Sequence, residues 1–160
     1  KECGVEGVKL EGGEHIAEQV RKIVNSGIPV MGHLGLTPQS IHQYGGYTVQ
    51  GKSEKNAKKI LKDAKILEEA GVFAIVLEKI PTNIAQKVTL SISVPTIGIG
   101  AGPYCDGQVL VTHDMLGLFE TFKPKFVRQY ADLGPVIKKA AEQYIHDIKN
   151  KKFPNSKESF

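Results

Sequence analysis

Short apolar runs alternate with stretches of helical periodicity along most of this sequence, and no other feature constrains the fold as tightly. Val5 to Leu10 reads as a strand that runs into charged residues and a Gly-Gly turn. Glu14 to Ser26 sets Ile16, Val20, Ile23 and Val24 on one helical face, with Gly27 at the stop. Pro29 to Leu34 is the next apolar run, and a polar, Gly-rich loop follows from Gly35 to Gly51. Ser53 can cap a helix whose first turn holds Glu54, where the helix dipole favours a carboxylate. Ala57, Ile60, Leu61, Ala64 and Leu67 then recur at helical spacing, and Gly71 can take the left-handed conformation that ends such a helix. Val72 to Leu77 is nearly continuous apolar sequence, the pattern of a parallel strand buried on both faces. Thr82 to Ser91 reads as a shorter helix, Thr96 to Ile99 as a strand, and Gln108 to Val111 as another after a Gly-rich turn. The last helix runs from about Leu133 to Lys149. Its stripe of Leu133, Val136, Ile137, Ala140, Ala141, Tyr144, Ile145 and Ile148 is wide enough that the helix is expected to lie on another surface. The residues after Lys151 read as a loose tail.

About five strands alternating with helices define a parallel α/β architecture. An open doubly wound sheet and part of a closed barrel both satisfy it. A whole barrel takes roughly 200–250 residues, so eight strand–helix units do not fit in 160. Periodicity does not choose between the two forms. The start at Lys1-Glu2-Cys3, rather than at Met, points to an upstream part that is missing.

Composition narrows the function classes. The chain is 41% hydrophobic and 24% charged, as globular domains are. No apolar stretch approaches the roughly 20 residues of a membrane helix, so no membrane partner is expected. The net charge of +4 owes much to Lys149, Lys151, Lys152 and Lys157, a run that reads as a solvated tail. Few aromatics interleave with these lysines, which argues against nucleic acid. Cys3 and Cys105 are too few for a disulfide framework and lack metal-site spacing, as in a reducing, cytoplasmic compartment.

Ionisable groups collect where strands give way to loops, which is where barrels build active sites. Lys9 and Glu11 point the same way along their strand, because side chains alternate. They suit a charged ligand or a metal, and equally an ion pair closing the end of a barrel. His33 stands in an apolar strand, as a hydrogen-bonded core residue or as a catalytic one. Glu78 ends the run from Val72 to Leu77, where a carboxylate is costly to bury unless it is paired or protonated. Burial raises a carboxyl pKa and suits proton transfer near neutral pH, although a structural glutamate is the alternative. Gly98-Ile99-Gly100-Ala101-Gly102 has the look of a phosphate cradle, but it lacks a dinucleotide fingerprint or P-loop lysine. Close backbone packing explains it better. Asp106, His113 and Asp114 imitate metal ligands without the spacing of a metal site, and read as capping or structural groups.

Taken together, several segments resemble the motifs of ketopantoate hydroxymethyltransferases. They are Val8 to Gly13, Met31 to Ser40, Gly45-Gly46-Tyr47, Val76-Leu77-Glu78, Ile97 to Gly102, and Asp106-Gly107-Gln108 with His113-Asp114. The resemblance runs from the first residues to about Lys151 with the motifs in order. It implies a (β/α)₈ TIM-type barrel of which this chain supplies roughly strands 4 to 8 and the C-terminal helices. Residues 1–152 would then be the C-terminal portion of a single barrel domain, with 153–160 as the tail. The implied reaction moves a one-carbon unit from 5,10-methylenetetrahydrofolate to the 2-oxo acid 3-methyl-2-oxobutanoate, with a divalent metal, usually Mg²⁺, holding the oxo acid. By resemblance Lys9 contacts the substrate, Glu11 is a metal ligand, Glu78 is the catalytic proton acceptor, and His33 is an active-site neighbour without a definite role. Two metal-binding aspartates and a serine of the family's early strands have no counterpart here. The family also forms large homo-oligomers, often decamers. Two readings stand beside this one: another metal-dependent barrel enzyme on 2-oxo acids, of the phosphoenolpyruvate-using superfamily, and a truncated chain without catalysis.

Overall fold

A computed structural model describes residues 4–38, 49–119 and 124–160. Cys3, Gln39, Ser40 and the Gly45-Gly46-Tyr47 motif lie outside the described residues. The chain divides into two compact units, Lys1–Val109 and Leu110–Phe160.

The first unit alternates strands and helices. Strand β1 is Val8–Glu11, followed by a 3₁₀ turn at Glu14–Ile16 and helix α1 at Ala17–Asn25. Then come β2 (Val30–Gly35), α2 (Glu54–Glu69), β3 (Ala74–Glu78), α3 (Thr82–Ser91), β4 (Thr96–Ile99) and the short β5 (Gly107–Gln108). Local chemistry places several of these ends. The Ser53 hydroxyl accepts a 3.2 Å hydrogen bond from the Asn56 amide and so caps α2. Gly71, at φ +94°, takes the left-handed turn after it.

The five strands among the described residues are parallel and lie in the order β1-β2-β3-β4-β5. That order chooses between the two architectures. A doubly wound sheet reverses direction at a switch point, so that its first strand lies inside. Here each new strand is added on the same side, which right-handed crossovers achieve only by keeping every helix on one face. The unit is a partial TIM-type barrel.

The two faces of the sheet differ accordingly. Val30, Leu34, Ile75 and Leu77 point at the helices and pack with Val20, Ile60, Ala64, Leu67, Ile84, Ala85 and Val88 in one core cluster. Gly32 belongs to this face, and a side chain there would crowd the Leu67 methyl group, so α2 settles close onto β2. The opposite face carries Lys9, Glu11, Met31, His33, Ala74, Val76, Glu78, Ile97 and Ile99 by register. Ala74, Val76 and His33 are buried but stand apart from the helix-side cluster.

The second unit has α4 (Thr112–Met115) and α5 (Gly134–Lys149). Sequence periodicity predicts that α5 lies on another surface. None of its residues is buried within this chain, and Val136, Ile137, Tyr144, Ile145 and Ile148 are exposed. The segment expected to be loose has local order: Asn155 accepts through its side chain from the Lys157 amide, and the Phe153 ring meets Tyr144 edge-on.

Candidate active site

Three adjacent strands carry ionisable side chains at or near their carboxyl ends, on the face away from the helices. Glu11 is the last residue of β1 and pairs in register with His33 of β2, while Glu78 is the last residue of β3 and pairs with Gly35. The result is a row in which the His33 ring lies between two carboxylates. Its Nδ1 is 3.7 Å from Glu11 Oε1, and its Nε2 is 3.1 Å from Glu78 Oε2. The ring is 2% exposed, against 11% for the Glu11 side chain and 18% for that of Glu78. Neither ring nitrogen makes an aligned hydrogen bond, so the closer contact, at 3.1 Å, has the distance of a hydrogen bond without its directionality. Catalytic contacts are often misaligned before substrate binds. The carboxylate at the end of β3 is therefore neither dry nor isolated; it is partly open to solvent with an imidazole behind it.

Lys9 stands exposed on the same face, one rung before Glu11 and opposite Met31. One rung of a strand is roughly 6.6 Å, a distance a lysine side chain spans. The structure thus brings Glu11, His33 and Glu78 together and sets Lys9 beside them on a shared face.

The peptide that carries Glu78 is held from both sides. Its carbonyl accepts from the Leu36 amide at 2.8 Å, and the Lys79 amide donates to the Ile99 carbonyl at 2.8 Å. Gly35 has φ +96°, and a Cβ there would fall 2.1 Å from the Glu78 carbonyl oxygen. Lys79 adopts φ +50°, a left-handed conformation that non-glycine residues rarely take and that clusters at functional sites.

The remaining candidates have structural roles. Asp106 Oδ2 accepts from the Thr96 amide at 2.8 Å and from the Thr96 hydroxyl at 3.0 Å, so it pins the start of β4. These bonds, the backbone one first, hold its carboxyl below the usual carboxylate range. Next to it, burial pushes the Cys105 thiol up, against hydrogen bonds from Thr96 and Thr89. The Gly-rich segment is a packing device. Added side chains would meet Cys105 Sγ and Gln108 at Gly98, and the Thr82 side chain at Gly102. His113 lies in α4, where its ring packs on Phe119 at 5.6 Å, and Asp114 is its neighbour in the same short helix. Among the described residues no group of three or more His, Cys, Asp or Glu side chains could hold a metal ion. With the His33 ring between Glu11 and Glu78, the described residues do not by themselves fit a divalent metal. None of the described helices is long and apolar enough to cross a membrane.

Sequence reasoning missed Asp63, a 4%-exposed carboxylate inside the apolar face of α2. Its one sequence signal is indirect: Gly12-Gly13 leaves the following turn without a side chain to cap it.

A family model described as ketopantoate hydroxymethyltransferase matches residues 1–156. The chain is 59% identical over 159 residues to 3-methyl-2-oxobutanoate hydroxymethyltransferase of Thermoanaerobacter sp. (strain X514), covering 99% of this chain and 58% of that protein. It is 58% identical to the protein of that name from Clostridium botulinum (strain Loch Maree / Type A3), with 100% and 58% covered. The one from Geobacter metallireducens (strain ATCC 53774 / DSM 7210 / GS-15) is 57% identical, with 100% and 60% covered. The chain therefore spans less than two thirds of the length of these relatives. Among solved structures, the YdjI aldolase from Escherichia coli K12 aligns with a TM-score of 0.41 at 15% identity, over 70% of this chain and 47% of that one, too slight a likeness to bear on the fold.

Proposed function

Because this chain belongs to the ketopantoate hydroxymethyltransferase family, we propose that the protein it forms transfers a hydroxymethyl group from 5,10-methylenetetrahydrofolate to 3-methyl-2-oxobutanoate, giving ketopantoate for pantothenate and coenzyme A synthesis. The observation that carries the reading is the row of Glu11, His33 and Glu78 at the carboxyl ends of three adjacent parallel strands, with Lys9 on the same face. In TIM-type barrels that rim is where the chemistry sits.

The reaction breaks the C–H bond beside a ketone. The electron pair becomes an enolate, whose carbon bonds to the one-carbon unit as that unit leaves the folate, and water supplies the hydroxyl oxygen. Glu78 takes the proton: its carboxylate is partly open to solvent, while His33 behind it limits where it can swing. Lys9 offers a positive charge to the substrate carboxylate or to the oxyanion as it develops. Glu11 is the one metal ligand the family resemblance assigns to this chain. Mg²⁺ would need further oxygen donors beyond the described residues, so no step here passes through it. A homo-oligomer in the cytoplasm belongs to the same proposal.

The test is exchange of the C3 proton of 3-methyl-2-oxobutanoate in D₂O, followed by NMR with the complete protein and no folate. Glu78→Gln is expected to slow exchange by about 10²–10⁴-fold, as loss of a general base does. Exchange at the parent rate would remove Glu78 from this role.

A further inference from the structure

We infer that Asp63 is a positioning residue for the site: from the middle of α2 it clamps the Gly12–Gly13 turn and so sets the place of Glu11 at the end of β1. The inference rests on the reading of Glu11 and Glu78 just given.

Asp63 shares its helix face with Ile60, Ala64 and Leu67, all buried. A carboxylate in that setting is costly unless its oxygens are satisfied, and both are. Oδ1 accepts from the Glu14 amide at 3.1 Å, and Oδ2 pairs with Lys59 one turn earlier in the helix. The turn is built to receive it. A Cβ at Gly13 would fall 2.1–2.5 Å from the Asp63 carboxyl atoms, so only glycine lets the backbone come this close. Gly12 is anchored from the other side, its amide donating to the His33 carbonyl at 3.1 Å. Lys62, also on α2, ties down the Glu14 side chain at 2.9 Å.

An ordinary cap side chain at residue 13 would serve the amides of His15 or Ile16, so the Glu14 amide, first in the turn, needs an acceptor from elsewhere. Here the cap residue has no side chain, and the acceptor comes from 49 positions away. The consequence is a rigid link. The backbone just past Glu11 is held between the strand that carries His33 and the helix that leads into the strand of Glu78. Asp63 touches neither carboxylate; it acts through the turn.

The test is a double-mutant cycle in the complete protein, read by C3 proton exchange on 3-methyl-2-oxobutanoate. Asp63→Ala is expected to lower kcat/KM on the order of 100-fold, the cost of a misplacement of about 1 Å. Added to Glu11→Gln, it should lower kcat/KM by no more than about two-fold further, because both act on one group. Asp63→Asn keeps an oxygen for the Glu14 amide and should restore most of the rate. Hydrogen exchange of that amide should speed up in Asp63→Ala and stay slow in Asp63→Asn. If Asp63→Ala does not fold, Gly13→Ala displaces the same turn with the carboxylate in place, and the cycle is run with it. A lowered Tm with unchanged kcat and KM overturns the proposal, as do losses that multiply in the double variant. Parent-rate exchange in Glu78→Gln would unseat the reading of the site instead. Multiplying losses beside an inactive Glu78→Gln unseat Asp63 alone.

Discussion

Asp106 is of a residue type that binds metals, yet it is the structural group its sequence context suggests, with both acceptor bonds spent on Thr96. Its carboxyl is held below the usual range by those bonds, so the folded chain binds that proton less tightly than the unfolded chain. The stabilisation is therefore fully present above the ordinary carboxylate range and is lost as pH falls through the lowered value. Asp106→Asn should lower stability to urea at pH 7 while making the decline on acidification shallower, as read by denaturation at pH 7 and pH 3. Equal acid sensitivity in both proteins would count against the assignment. Glu11 and Glu78 were legible in the sequence because strand alternation and apolar context announce an acid at a strand end. Asp63 was not, since one acid among Lys59, Lys62 and Asp63 of an amphipathic helix looks solvated until the turn packed against it is known.

Local chemistry sets the ends of several elements. Thr82–Ser91 and Thr96–Ile99 have the bounds that periodicity predicts, and the Ser53 cap opens α2. Replacing that hydroxyl in Ser53→Ala should cost about 1 kcal/mol, measured as a shift of the urea midpoint at unchanged slope. No shift would mean that water caps the Asn56 amide as well. Boundaries moved where pairing decides them. Apolar content predicts the first strand at Val5 to Leu10; it runs Val8–Glu11, because β2 offers partners only from Val30 onward. The sequence predicts the last at Gln108 to Val111; it is Gly107–Gln108, the two residues that Ile97 and Gly98 pair with. A sequence shows which residues favour a strand, and the neighbouring strand determines how many of them are used.

At the scale of the whole molecule, most of the buried apolar residues among those described belong to one cluster. The large core cluster lies between the sheet and α1, α2 and α3, whereas α5 buries no residue. Opening free energy follows buried apolar contact. Amides of β2 and β3 in the 160-residue chain should therefore be the last to exchange with deuterium, and those of α5 among the first, by hydrogen-exchange mass spectrometry. Protection of α5 equal to that of β3 would contradict this picture. By itself the sequence determined the alternation of strands and helices, the caps and turns that punctuate it, and the acids that end two strands, because each depends on periodicity and contacts a few residues apart. Tertiary structure decided the order of the strands, the imidazole seated between two carboxylates, the exposed face of α5 and the grip of Asp63 on a turn 49 residues away. Those depend on which surfaces meet, and apolar patterning marks a surface for burial without naming the partner that buries it.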